Sequence, residues 1–378
     1  MRFVCFIICF ALVGCSITRT KYVSYRDGLF YEGNSSKLIN GKVTIPGGLF
    51  ENIEGQTKGK IKEGKRTGLW TIFYPSGKIL SKTNWVNNLH EGLATEWYEN
   101  GQKKSEAYYK DDKEDGLLTN WYENGQKELE FYVKDGEPNG PVNSWYENGQ
   151  KEVEGNSKDG ETNGLTTTWY ENGQIKTKIN YKDGKQEGLA TEWYENGQKK
   201  AKASYKEGKL DGIITHWYEN GEKKEESNWK DGKEEGLTTY WYENGQMQEQ
   251  ANYLGGKVHG LVKQWKINGD LNGHFYSTHG KKHGDCIHFY PNGTKEWVHN
   301  FENDTENGSS TSWYPNGRIK REGIWEDGKL ISCSVWKPNG EKCTSTKIDN
   351  GDGVIVFYND EGQEVGKNYF KNGKELSF

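Results

Sequence analysis

The hexapeptide WYENGQ begins at Trp97, Trp121, Trp145 and Trp241. WYENG followed by Gln174, Gln198 or Glu222 fills the three steps between, and every step is 24 residues. A fixed period of this length means one supersecondary unit written many times, each copy stacked on its neighbours. The register extends in both directions. Phe73-Tyr74-Pro75-Ser76-Gly77 lies one period before Trp97, and Trp265 with Asn268-Gly269 one period after Trp241. Phe289-Tyr290-Pro291-Asn292-Gly293 and Trp313-Tyr314-Pro315-Asn316-Gly317 keep the step; Trp336-Lys337-Pro338-Asn339-Gly340 arrives one residue early, and Phe357-Tyr358 closes the series. The chain therefore holds about 13 units. Residues 16–62 read as degenerate copies, for example Gly28-Leu29-Phe30-Tyr31, as expected of terminal repeats that cap an array.

Within one unit, Gly164 to Gly188, the residues alternate with period two on either side of Glu171-Asn172-Gly173. That pattern predicts two strands and a tight turn. Proline replaces the turn glutamate at Pro75, Pro291, Pro315 and Pro338, and proline suits the first turning position of a type I turn. A three-residue loop with Gly173 left-handed follows, pairing Tyr170 with Gln174. On that register Leu165, Thr167, Trp169, Ile175, Thr177, Ile179 and Tyr181 share one face. The seven-residue connection Lys182-Asp183-Gly184-Lys185-Gln186-Glu187-Gly188, with two glycines, turns the chain back toward the next copy. The expected fold is all-β, an elongated single-layer antiparallel β-meander. About 26 strands at about 4.8 Å give a length on the order of 125 Å.

Composition supports a thin repeat structure over several compact domains. Only 32% of residues are hydrophobic, and that share leans on 15 Trp, 23 Tyr and 13 Phe. Disordered chains are poor in aromatics, whereas this one places them at a fixed period. The formal charge is -5 with Lys and Glu interspersed, which supplies no basic stripe for nucleic acid.

The motif G-L-x-x-x-W-Y-x-N-G-x-x-x-x-x-x-x-Y-K-D-G-K over a period of 24 resembles the bacterial variant MORN repeat, of the kind found in YwqK-like antitoxin proteins. The resemblance covers roughly residues 63–378. It implies an elongated β-meander that binds protein or lipid and performs no catalysis. The antitoxin relatives imply a second possibility, neutralisation of a toxin by direct contact. A third possibility is a cell-wall carbohydrate-binding repeat protein.

The N-terminus adds a location. Arg2 precedes an apolar run from Phe3 to Val13, long enough for a signal-peptide core and too short to span a bilayer as a helix. Leu12-Val13-Gly14-Cys15 resembles the bacterial lipobox, which implies cleavage before Cys15 and lipidation of its thiol. Ser16 in the second position favours the outer membrane in a two-membrane bacterium. The expected domains are a leader over 1–15, degenerate repeats or a cap over 16–62, and the array over 63–378.

Candidate chemistry is sparse. Glu99, Glu123, Glu147, Glu171, Glu195, Glu219 and Glu243 form a column, but identical copies do not offer the two different environments that an acid and a base require. Asp111, Asp135, Asp159, Asp183 and Asp231 sit in Asp-Gly turn pairs, or Asp-Asp at 111, without calcium-loop spacing. His259 and His283 occupy one loop position in adjacent copies, with no completing metal ligands in sequence. No cofactor motif and no nucleophile motif is present. Cys333 and Cys343 are ten residues apart and could close a disulfide loop, leaving Cys286 over. The remaining candidate is the ladder Trp97, Trp121, Trp145, Trp169, Trp193, Trp217 and Trp241, expected to stack on one sheet face, build each repeat's core and offer aromatic surface to a protein partner.

Overall fold

The computed structural model describes residues 23–47 and 54–376; the leader and its Cys15 lie outside the described residues. The fold is all-β. The described residues form 36 strands and no helix, paired antiparallel with their neighbours in sequence. Two compact units divide the chain, one ending at Lys185 and one beginning at Gln186. Both are hairpin meanders, as the period leads one to expect.

The hairpin Gly164–Trp169 with Ile175–Lys182 shows the local logic. The Tyr170 N–H donates to the Gln174 carbonyl and the Gly173 N–H to the Tyr170 carbonyl, each at 2.8 Å. Gly173 has φ +83°, the left-handed conformation that a Cβ disfavours. The Asn172 side chain closes the turn from inside, its Oδ1 accepting the Gln174 N–H at 2.9 Å. This is the bulged three-residue turn expected from the prolines.

One step further the register departs from expectation. Trp169 pairs with Ile175, but Thr168 pairs with Thr177, so Lys176 is passed over. The same shift recurs at Asn120/Trp121, Ser144/Trp145, His216/Trp217 and Tyr240/Trp241. A one-residue slip moves every later side chain to the other side of the sheet. Leu165, Thr167 and Trp169 therefore share a face with Lys178 and Asn180, while Ile179 and Tyr181 lie on the opposite face with Thr166 and Thr168. The single apolar face anticipated above is divided in two. Leu165, 51% exposed, is not part of a core.

The other connection is a two-residue turn. Asp183 at φ +48° and Gly184 at φ +73° are both left-handed, which matches the twist of the flanking strands. The Gly184 N–H reaches the Thr162 carbonyl of its own unit at 3.0 Å, and Gly232 repeats the bond to Leu210 at 2.8 Å.

Successive copies are joined by side chains one period apart. In the first unit Tyr74, Tyr98, Tyr122 and Tyr146 donate their hydroxyls to the carbonyls of Trp97, Trp121, Trp145 and Trp169 at 2.8–2.9 Å. In the second, Tyr194, Tyr218 and Tyr242 do so to Trp217, Trp241 and Trp265. Asn100, Asn124 and Asn148 add Nδ2–H bonds to the carbonyls of Glu123, Glu147 and Glu171. The Tyr of WYENG is thus an inter-repeat hydrogen-bond donor.

Apolar cores of ordinary kind occur at two places. Phe30, Ile39, Val43, Ile45, Ile61, Trp70 and Trp85 cluster in the first unit. Leu330, Cys333, Val335, Cys343, Ile348, Ile355, Val356 and Tyr358 cluster in the second. The disulfide considered for Cys333 and Cys343 is not formed, although both thiols are buried in this second cluster. Cys333 sits in a strand opposite Gly323 and Ile348, while the Cys343 sulfur lies 3.2 Å from the Tyr358 hydroxyl. Cys286 is also free and buried.

Candidate functional site

The tryptophans do not form a bare aromatic stripe. In the first unit Lys82, Lys103, Lys127 and Lys151 lie over the rings of Trp97, Trp121, Trp145 and Trp169, 5.3–5.8 Å from the ring centres. In the second, Lys199 covers Trp217 and Lys223 covers Trp241. Trp193 is half-buried like the others. Lys103, Lys127, Lys151 and Lys223 are also ion-paired with Glu106, Glu130, Glu154 and Glu226. A cation over an indole face is attractive and occupies the surface a partner ring would need. The Trp column is thereby largely used in joining one copy to the next.

The opposite face behaves differently. At the position of Thr168 and its cross-strand partner Thr177, the first unit carries Glu96/Ser105, Asn120/Leu129, Ser144/Val153 and Thr168/Thr177. The second carries Glu192/Ala201, His216/Glu225, Tyr240/Glu249, Gln264/Gly273, His288/Trp297 and Ser312/Arg321. On the Trp face of the same strands, Trp recurs with Phe289 as its one replacement, while Leu and Thr recur less strictly, giving way to Pro141 and Asn143, to Lys263, and to Asp285 and Ile287. A frame that holds backbone and turn constant while varying one pair of columns presents a different chemical group at each step. These are the functional candidates that sequence reasoning missed. Their signal was present in the differences between copies, but the faces could not be assigned without the register shift.

The varied columns reach their largest groups in the second unit, where they line a cleft of about 490 Å³ that includes Tyr290, Trp297, His299, Phe301, Ser312, Arg321 and Phe357. His288, Trp297, Ser312, Arg321 and Val335 follow one another across adjacent strands. His288 stacks on Trp297 with ring centres 5.3 Å apart and planes 5° from parallel. His299 meets the same indole edge-on at 5.2 Å. Each histidine is held by a carboxylate: His288 Nδ1 lies 2.7 Å from Glu296 and His299 Nδ1 2.5 Å from Glu306. On the same strands, Ser310 is buried and accepts the Trp325 indole N–H at 2.9 Å, with Gly323 paired opposite it. Burial, with Asp360 nearby, pushes the Tyr314 hydroxyl up to about 12, so it stays protonated and keeps its bond to the Trp336 carbonyl.

The other sequence candidates are placed plainly. Glu99, Glu123, Glu147, Glu171, Glu195, Glu219 and Glu243 are exposed turn residues, and several of them contribute backbone carbonyls to the asparagine ladder. The Asp column occupies the left-handed first position of the second turn. His259 meets His279 at 5.2 Å rather than His283. Among the described residues no group of three or more His, Cys, Asp or Glu is arranged to hold a metal ion.

Comparison with known proteins agrees with this geometry. Residues 66–87, 91–111, 138–159, 162–183, 186–207, 210–231 and 234–254 match the MORN repeat variant. No curated protein matches the chain. Among solved structures, the TcdB2–TccC3 complex aligns over 83% of this chain and 23% of its own, at 10% identity and a TM-score of 0.16. The Photorhabdus luminescens Tc holotoxin pore aligns over 91% of this chain and 23% of its own, at 11% identity and a TM-score of 0.15. This chain spans under a quarter of those chains, and likeness at that level says nothing of what it does. MORN repeats are in general a non-enzymatic repeat class. The hairpins between residues 66 and 254 include seven copies of the MORN repeat variant.

Proposed function

We propose that this protein is a non-enzymatic, lipid-anchored scaffold at the cell envelope that binds a protein partner along the face opposite its tryptophans. The varied columns carry the reading: they change at each step while stacking bonds and turns stay the same. Variation along a pair of columns in an otherwise repeated frame is how an extended repeat surface acquires specificity. The anchor rests on Cys15 and its lipobox-like context.

Photo-crosslinking tests the face. A benzophenone amino acid in place of Asn120 is expected to yield a defined adduct in cells, and one in place of Leu117 on the Trp face is not. Adducts from position 117 alone would reverse the assignment. Labelled palmitate tests the anchor. Wild type should be labelled and membrane-bound, and Cys15→Ala unlabelled and soluble. Unlabelled wild type in the cytosol would remove the anchor and bring forward the antitoxin reading, in which the partner is a toxin.

A further inference from the structure

We infer that the cleft of the second unit is a binding site for an acidic sugar, a pyranose ring bearing a carboxylate. This goes beyond the scaffold reading and needs no protein partner. Three features define the ligand. Trp297 stacks on His288 and meets the His299 ring at 5.2 Å, and its partner on the following strand is Ser312, whose side chain is too short to cover an indole. Arg321 stands on the far side of Ser312, two strand spacings or about 10 Å from the Trp297 strand. The gap between them accepts one ring stacked on the indole with a charged substituent directed at the guanidinium.

An unpaired guanidinium selects an anion. The acids on the cleft wall hydrogen-bond the imidazoles, Glu306 with His299 and Glu296 with His288. Lys320 lies over the Tyr314 ring at 5.1 Å. Arg321 has no ion pair among the described residues, so a bound carboxylate would supply its counter-charge in a partly buried setting. The remaining lining selects hydroxyls over a hydrocarbon ring. Glu296 and Glu306 retain lone pairs for sugar O–H donors. An aromatic acid would match Trp297 and Arg321 equally, but it would leave those carboxylates facing an apolar edge.

Elsewhere in the second unit the varied columns do not repeat the Trp-Ser-Arg series. At the position of Trp297 they hold Ala201, Glu225, Glu249 and Gly273, and at the position of Ser312 they hold Glu192, His216, Tyr240 and Gln264. The site is a property of this one place in the array.

The test is direct binding to the full chain in detergent. D-glucuronate and D-glucose serve as probes, with hippurate as the aromatic acid, read by saturation-transfer NMR and calorimetry. Glucuronate is expected to bind, with glucose weaker by about tenfold or more. Arg321→Gln should abolish that preference while leaving the melting curve unchanged. Trp297→Ala should abolish binding of both sugars, and Ser312→Phe, which fills the gap from its floor, gives the same readout should Trp297→Ala fold poorly. Equal binding of glucuronate and glucose, no binding of either, a preference for hippurate, or glucuronate binding unchanged in Arg321→Gln would each overturn the assignment.

Discussion

In the second unit, the segment from Leu330 to Tyr358 buries Ile355 and Val356 completely and packs Leu330, Val335 and Ile348 around them. The repeats between residues 186 and 254 of the same unit bury Ala203, Ser227, Thr238 and Ala251, side chains with little apolar area to lose from water, and one larger residue, Ile214. The first unit repeats the contrast, with Phe30, Ile39 and Ile61 in one cluster, while its regular copies bury Ala107 and Val133 beside the small polar Ser81, Thr95, Thr119 and Thr167. The difference lies in what each copy can stack on. An internal repeat has a neighbour on both sides, and its stability comes from tyrosine and asparagine bonds to that neighbour and from lysines over indoles. The irregular segments are held by burying hydrocarbon instead.

The largest effect should come from the apolar side of this comparison. Ile355→Ala is expected to cost about 2–5 kcal/mol, because a fully buried aliphatic is removed from a packed cluster. Urea unfolding followed by tryptophan fluorescence checks it, and a loss below about 1 kcal/mol would mean the cluster does not hold this end of the unit. Next come the turns. Gly173→Ala should cost about 1–2 kcal/mol through its positive φ. Glu171→Ala, exposed in the same turn, should stay within about 0.5 kcal/mol. Equal thermal shifts for the two would discredit the turn geometry.

A single rung of the ladder is smaller again. Tyr122→Phe removes the hydroxyl bonded to the Trp145 carbonyl and should cost about 1 kcal/mol. No change would shift the weight of repeat stacking to the lysines and the turn glycines. The smallest effect per group is in alkali. Burial first, then neighbouring glutamates, raise the hydroxyls of Tyr74, Tyr98 and Tyr122 above their ordinary value. A folded-state pKa above the unfolded one gives stability that is present below about pH 10 and lost as pH rises through the folded values. Tyrosinate absorbance should therefore lag behind that of the urea-unfolded chain, and the urea midpoint should fall between pH 9 and 12. Coincident titrations would remove the ladder from the stability of the repeats.

Much of the fold is legible in local residues. The Asn172-Gly173 pair and its proline variants define a bulged turn within five residues, whereas the return connection, expected over residues 182–188, narrows to Asp183-Gly184 because the strand resumes at Lys185. The candidate site was legible only in part. His288, Trp297, His299 and Arg321 stand out as departures from the repeat, yet nothing local says that the strand register brings them together.

The sequence alone determined the period, the hairpin, the bulged turn and the all-β class, because each follows from backbone preferences of a few adjacent residues. The tertiary structure decided the faces. The register passes over Lys176 and its equivalents at the point where a Tyr hydroxyl from the previous copy reaches the Trp carbonyl, 23 residues away. That bond lies outside any local window. The one-residue slip beside it places tryptophans on one side of the sheet and the varied columns on the other.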